Sequence, residues 1–170
     1  MIDKSPYTAS FFFIWKKNGK LRLIQDYQPI NKWTIKNRYP LPLIPQLINR
    51  LGNAELITTV NICWGYNTVQ IIKENRHKAA FITNQGLFEP TVMFFRLTNS
   101  PATFQTMIDI IFHEQIAHRT LIVYMNNIAV HTRWKPNKLE EQHLKQHREL
   151  IREMLTILWK HDLYLNIEKC

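Results

Sequence analysis

The sequence is short of cysteine, of acidic side chains and of long apolar runs, and each shortage excludes something. Cys63 and Cys170 are the only cysteines in 170 residues. They stand far apart without metal-ligand spacing, so no disulfide framework is indicated and free thiols in a reducing compartment are expected. No apolar stretch approaches the ~18 residues of a membrane-spanning helix, and the opening residues Met1, Ile2, Asp3, Lys4, Ser5 and Pro6 lack the basic-then-hydrophobic order of a secretory leader. An intracellular location, cytoplasmic or nuclear, with no membrane partner is expected. Repeats, linkers and low-complexity segments are also missing. Acidic residues number 13 against 22 Lys and Arg, which leaves a net charge of +9. Such a balance suits a polyanionic partner, because clustered cations release counterions from a phosphate backbone, although charge alone does not separate nucleic acid from a membrane surface.

What remains is enough for one ordered domain. Hydrophobic residues make up 45% of the chain and aromatics 12%, and a chain of this length buries roughly 70% of its unfolded-state surface. Residues 11–15 and 21–27 are strand-like and are joined by Lys16, Lys17, Asn18, Gly19 and Lys20 through an Asn-Gly turn. That hairpin carries Lys16, Lys17, Lys20 and Arg22 at its tip, either as a cationic contact surface or as the lysines that guard an edge strand. The prolines of 38–45 impose an extended run, after which Ile44, Leu47, Ile48 and Leu51 have helical spacing up to a stop at Gly52. Residues 56–62 read as a buried strand that carries one polar residue, Asn61, near its end.

A second hairpin joins 79–83 to 87–89 around Asn84, Gln85 and Gly86. Ser100 and Pro101 suit the N-cap and first position of a helix whose apolar face is Phe104, Met107, Ile108, Ile111 and Phe112. The central feature is 121–130, two apolar β-prone runs around Asn126 and Asn127, where a two-residue Asn-Asn loop suits a primed turn. A long amphipathic helix spans 139–159, with Leu144, Ile151, Leu155 and Leu158 inward and Glu140, Glu141, Lys145, Arg148 and Arg152 outward. His143 and His147 have the i, i+4 spacing of a metal pair but lack the glutamate of an H-E-x-x-H site, so a solvated face is expected. Residues 164–167 read as a last short strand.

Gln25-Asp26-Tyr27, Asn37-Arg38-Tyr39-Pro40-Leu41-Pro42, Trp64-Gly65-Tyr66, the run from Leu97 to Gln105 and Tyr124-Met125-Asn126-Asn127 occur in the order seen in reverse transcriptases. Together they resemble the Ty3/Gypsy class of LTR retrotransposons over nearly the whole chain. The resemblance implies an α+β fold, the right-hand polymerase palm (an antiparallel sheet backed by helices) with a fingers β-hairpin, in a piece of a longer polyprotein without its thumb and RNase H. It implies fingers mainly in 1–55 and 76–100 and palm mainly in 56–75 and 101–170. The partners implied are an RNA/DNA primer-template and a dNTP; oligomeric state is left open.

Carried over by position, Lys16 and Arg22 resemble residues that grip the triphosphate, where Arg offers a planar fork to phosphate oxygens. Tyr66 resembles the aromatic gate against a 2′-hydroxyl, and Phe95 lies in the segment lining the nucleotide pocket. Lys17, Lys20, Tyr124 and Met125 resemble residues that face the nucleic acid. Asn61, Asn126 and Asn127 stand where the family has its three metal-binding aspartates. Nucleotidyl transfer in intact relatives uses two Mg²⁺ or Mn²⁺ ions roughly 3.5–4 Å apart. Mg²⁺ prefers anionic oxygen, and a neutral Asn carbonyl does not bridge two ions. No metal and no catalysis are therefore expected in this copy; a non-catalytic nucleic-acid-binding module and an inert relic are the alternatives. Arg96 replaces a family glycine and Gln28 a family arginine. These changes, with the three asparagines and Asn18, are each reachable by one G-to-A transition, the mark of biased mutational decay; deliberate inactivation explains the three asparagines but not Arg96 or Gln28.

Overall fold

The computed structural model describes residues 5–17, 19–134 and 139–170, so Asn18 and the opening residues to Lys4 lie outside the described residues. In chain order the elements are β1 Ala9–Trp15, β2 Leu21–Gln25, α1 Gln28–Trp33, α2 Ile44–Leu51, β3 Leu56–Asn61, β4 Phe81–Thr83, β5 Gly86–Phe88, α3 Ser100–Ile111, α4 His113–Ala117, β6 Leu121–Tyr124, β7 Asn127–Thr132 and α5 Glu140–Lys160. Two compact units result: 1–37 with 66–101, and 38–65 with 102–170.

In the first unit four strands run in the order β2-β1-β4-β5. β1 and β2 form the expected antiparallel hairpin, with Ile14 opposite Arg22 and Trp15 opposite Leu21. Lys16 N–H donates to Lys20 O across the loop, and Gly19 takes φ +72°, which a side chain resists. β1 also runs parallel to β4, and β4 returns as β5. The second hairpin turns on Asn84 and Gln85 alone, with Gly86 paired to Thr83 inside the ladder. Ala9, Tyr27 and Ala79 form a buried cluster against Ile30, Ile71, Phe81, Phe94 and Leu97. The Tyr27 hydroxyl donates to Ala79 O at 3.1 Å, and burial raises its pKa.

The second unit holds an antiparallel sheet in the order β3-β7-β6. β7 is central, so β3 is an edge strand and is buried only towards its end: Ile57 is 47% exposed whereas Val60 and Asn61 are buried. β6 is buried at Leu121, Ile122 and Val123 alike, which its uninterrupted apolar run requires. α3 and the residue that follows it set Phe104, Ile108 and Phe112 four residues apart, and all three are fully buried, with Met107 and Ile111 partly covered. Ser100 does not cap this helix; it lies in the first turn, and its hydroxyl donates to Phe94 O at 2.8 Å. α2 forms as its spacing predicts, but Ile44 and Ile48 are exposed.

Three expectations at the C-terminal end are corrected. α5 buries His143, His147, Met154 and Leu158, whereas Leu155 is exposed and Leu144 and Ile151 are only partly covered. The inward stripe is set one residue away from the leucine count because partners exist for both imidazoles. His147 Nε2 lies 2.9 Å from Thr58 Oγ1 and its Nδ1 3.1 Å from Thr132 Oγ1, while His143 stacks on Trp134 at 5.6 Å. The histidine pair is thus a core feature rather than a solvated face. Residues 164–167 make one bridge, Leu165 to Ile62, before a short 3-10 turn at Ile167–Lys169, so no full strand forms.

Candidate active site

The three asparagines converge because strand pairing leaves them no choice. Asn61 closes β3 directly opposite Asn127, the first residue of β7, and Asn61 Nδ2 donates to Asn127 Oδ1 at 2.8 Å. Ile62 N–H donates to Asn126 O at 2.7 Å, and Asn61 O accepts from Asn166 N–H at 2.8 Å. Asn61 is buried, Asn126 half-buried and Asn127 exposed, so the cluster opens to solvent on one side.

The turn beside it is not the Asn-Asn loop read from the sequence. Tyr124 pairs with Asn127, so the loop residues are Met125 and Asn126, with Met125 at φ +55°. A register shifted by one residue would turn Ile128 and Val130, both buried, out of the core. Burial therefore decides the turn, and an unfavourable left-handed methionine results. Its compensation comes from α3: Met125 N–H donates to Gln105 Oε1 at 2.7 Å. Gln105 Nε2 donates to Asp109 Oδ1 at 2.9 Å, and the Tyr39 hydroxyl donates to Asp109 Oδ2 at 2.6 Å. The Asp109 bond, followed by burial, pushes the Tyr39 pKa up to about 12. Gln105 is completely buried, and Asp109 fixes which end of its amide meets the turn. The Gln105–Asp109 pair has the i, i+4 spacing of neighbours on one helix face, but Tyr39 lies 70 residues from Asp109 and Met125 20 from Gln105, so the sequence does not indicate the chain of bonds as a whole.

Gly65, between Trp64 and Tyr66, answers to the same helix. A Cβ on Gly65 would lie 2.7 Å from Phe104 Cζ, and that ring is fully buried. Glycine at this position lets the backbone after β3 press against α3.

The residues that the motifs associate with a nucleotide belong to the first unit. Arg22 stacks its guanidinium 4.6 Å from the Phe95 ring centroid. That stacking holds the fork of Arg22 at a fixed place while leaving the side chain exposed. Lys16, Lys17 and Lys20 are exposed around the hairpin loop, and Tyr66 is half-buried at the start of a short 3-10 turn, Gly65–Thr68. Arg96 has an exposed side chain, and its carbonyl accepts from Asn31 Nδ2 at 2.8 Å. Its φ is not in the left-handed region, so an arginine fits there without backbone strain. Asn31 Oδ1 also accepts from Thr98 N–H, and Asn99 bridges Asn37 N–H and Ile35 O, which pins 96–99 to the segment after β2.

As a cation site the asparagine cluster is a poor match. All three side chains are neutral amides, and the Asn61–Asn127 contact commits the Asn127 oxygen to an N–H donor. A pair of divalent ions needs anionic oxygens that bridge, and this donor set does not provide them.

The profile of the family described as reverse transcriptase (RNA-dependent DNA polymerase) matches residues 14–170. The Transposon Tf2-7 and Tf2-3 polyproteins of Schizosaccharomyces pombe are each 34% identical over 168 residues, which is 99% of this chain and 12% of their length. The chain thus spans about an eighth of the curated relatives it matches. Among solved structures, the foamy viral protease-reverse transcriptase in complex with RNA/DNA hybrid superposes with a TM-score of 0.81 at 18% identity, over 98% of this chain and 21% of that one. The dRH form of that protein in complex with ds DNA gives 0.83 at 17% identity, over 98% and 27%. At such identities the likeness is one of fold.

Proposed function

The chain belongs to the reverse transcriptase family, in keeping with the Ty3/Gypsy resemblance of its motifs, and from that premise we propose that this copy has lost metal-dependent nucleotidyl transfer while keeping a nucleic-acid-binding surface. The observation that carries the reading is the hydrogen bond from Asn61 to Asn127, which occupies with a neutral donor the space where carboxylates would meet cations. Primer-template and dNTP are the partners in this reading. The RNA/DNA hybrid and ds DNA bound by the foamy viral enzyme support the first of them, and the Arg22 fork on Phe95 supports the second. The fingers name attaches to the β1-β2 hairpin and the palm name to the sheet β3-β7-β6.

Primer extension with Mg²⁺ or Mn²⁺ tests the catalytic half: no extension is expected, and metal-dependent extension by the unaltered chain would refute it. Salt-dependent binding to a primer-template tests the other half. Affinity is expected to fall with salt, and joint replacement of Lys16, Lys20 and Arg22 by Gln should flatten the log-log slope by up to about 3, one for each phosphate that is no longer neutralised. An unchanged slope would remove the hairpin from the binding surface and favour an inert relic. Comparison of the coding DNA with intact sister copies examines the G-to-A decay reading; unbiased differences would end it.

A further inference from the structure

A second basic feature lies in the second unit, built from residues that no motif singles out. A cavity of about 670 Å³ is lined by Arg50 from α2, His118, Arg119 and Thr120 from the link between α4 and β6, and His131 and Arg133 at the end of β7. Among the described residues that line it there is no carboxylate. Three arginines and two histidines from three separate stretches of chain line it, and bringing so much basic charge together without a carboxylate in the lining costs stability.

His131 makes the cavity more than a charged surface. Its side chain is 7% exposed, yet neither ring nitrogen has a hydrogen-bond partner among the described residues. Buried polar groups are nearly always bonded, and both ring nitrogens are themselves covered, so this unbonded imidazole meets a ligand in the cavity only after its side chain rotates. Burial, with the neighbouring Arg50 and Arg133 charges and His147, holds this imidazole below its ordinary pKa. An anion in the cavity would relieve the cationic crowding.

We propose that this cavity is a binding site for a phosphate-bearing anion, held by Arg50, Arg119 and Arg133. Guanidinium groups bind phosphate oxygens in pairs through a planar fork, which a diffuse field of lysines does not reproduce. The volume falls in the range of small-molecule sites, roughly 300–1,000 Å³, and accommodates a compact polyphosphate or a phosphate of a nucleic-acid backbone. The site stands apart from the asparagine cluster and does not rest on the fate of catalysis.

Calorimetric titration of the full chain with inorganic pyrophosphate tests it. One saturable site is expected, with affinity at least tenfold weaker in the double variant Arg50→Gln/Arg133→Gln and weakened also in Arg119→Gln, whose exposed side chain leaves the core intact. Arg152→Gln, on the exposed face of α5, removes the same charge away from the cavity and is expected to bind as the unaltered chain does. No saturable binding, or an equal loss in Arg152→Gln, would overturn the proposal by showing general charge attraction only. A short oligothymidylate titrated in competition separates the sources: displacement of pyrophosphate, lost in the double variant, assigns backbone phosphates, and no displacement assigns a free polyphosphate.

Discussion

Asn61 Nδ2 donates to Asn127 Oδ1 at 2.8 Å across directly opposed positions of β3 and β7. An amide pair bonds at this spacing, whereas two carboxylates would repel there. At ~4 Å and an effective dielectric near 20 the repulsion is on the order of 4 kcal/mol. Introducing Asn61→Asp, Asn126→Asp and Asn127→Asp should therefore lower the melting temperature without metal and create a rise with Mg²⁺ or Mn²⁺, since a ligand that binds only the native state stabilises it. Thermal unfolding across a metal titration checks both. A Mg²⁺ shift in the unaltered chain that vanishes on changing the three asparagines to Ala would refute the disabled-site reading.

Gln105→Ala removes the acceptor for Met125 N–H at a buried amide. The expected loss is about 1–3 kcal/mol in urea denaturation, the cost of leaving a buried donor unbonded. Asp109→Asn should cost less, because the amide can still accept from Gln105, and it should bring the Tyr39 phenol back towards its ordinary pKa, which a spectrophotometric titration reads directly.

Gly65→Ala places a methyl 2.7 Å from the buried Phe104 ring, and overpacking of that kind costs about 1–3 kcal/mol. Phe104→Leu alone should also destabilise. If the clash is the cause, the double variant will be more stable than the sum of the two losses predicts, by a coupling of about 0.5–3 kcal/mol. Strict additivity in the cycle would show that Gly65 is needed for some other reason.

Stability should fall as the medium is acidified below pH 6.5. His131 and His147 both have pKa values lowered from 6.5, chiefly by burial. Between the lowered folded value and 6.5 the unfolded chain binds more protons than the folded one, so the stability gained from these neutral imidazoles is complete above 6.5 and is lost as pH drops through that window. Arg50 and Arg133 strengthen the effect at His131, while His147 faces Thr58 and Thr132. Melting temperatures at pH 5.5 and 7.5 measure it, and His131→Asn with His147→Gln should flatten the difference.

Much of the architecture is a matter of local pattern and was legible in the chain. The β1-β2 hairpin follows from two β-prone runs around Gly19, α3 from Phe104, Ile108 and Phe112 at four-residue intervals, and the pairing of β6 with β7 from two apolar runs with a short polar break. Local pattern also accounts for the family motifs, which need no coordinates to be noticed. The structure decided the rest, because burial and pairing act between segments that no window of sequence joins. Burial of Ile128 and Val130 sets the register that puts the turn on Met125 and Asn126, and hydroxyls at Thr58 and Thr132 draw His147 into a helix face that its leucines alone would not select. Arg50, Arg119, His131 and Arg133 meet around one cavity only after α2, the α4-β6 link and β7 have packed. The amino-acid order determined which pieces form; the sheet register and the packing of helices on it decided which side chains share a site.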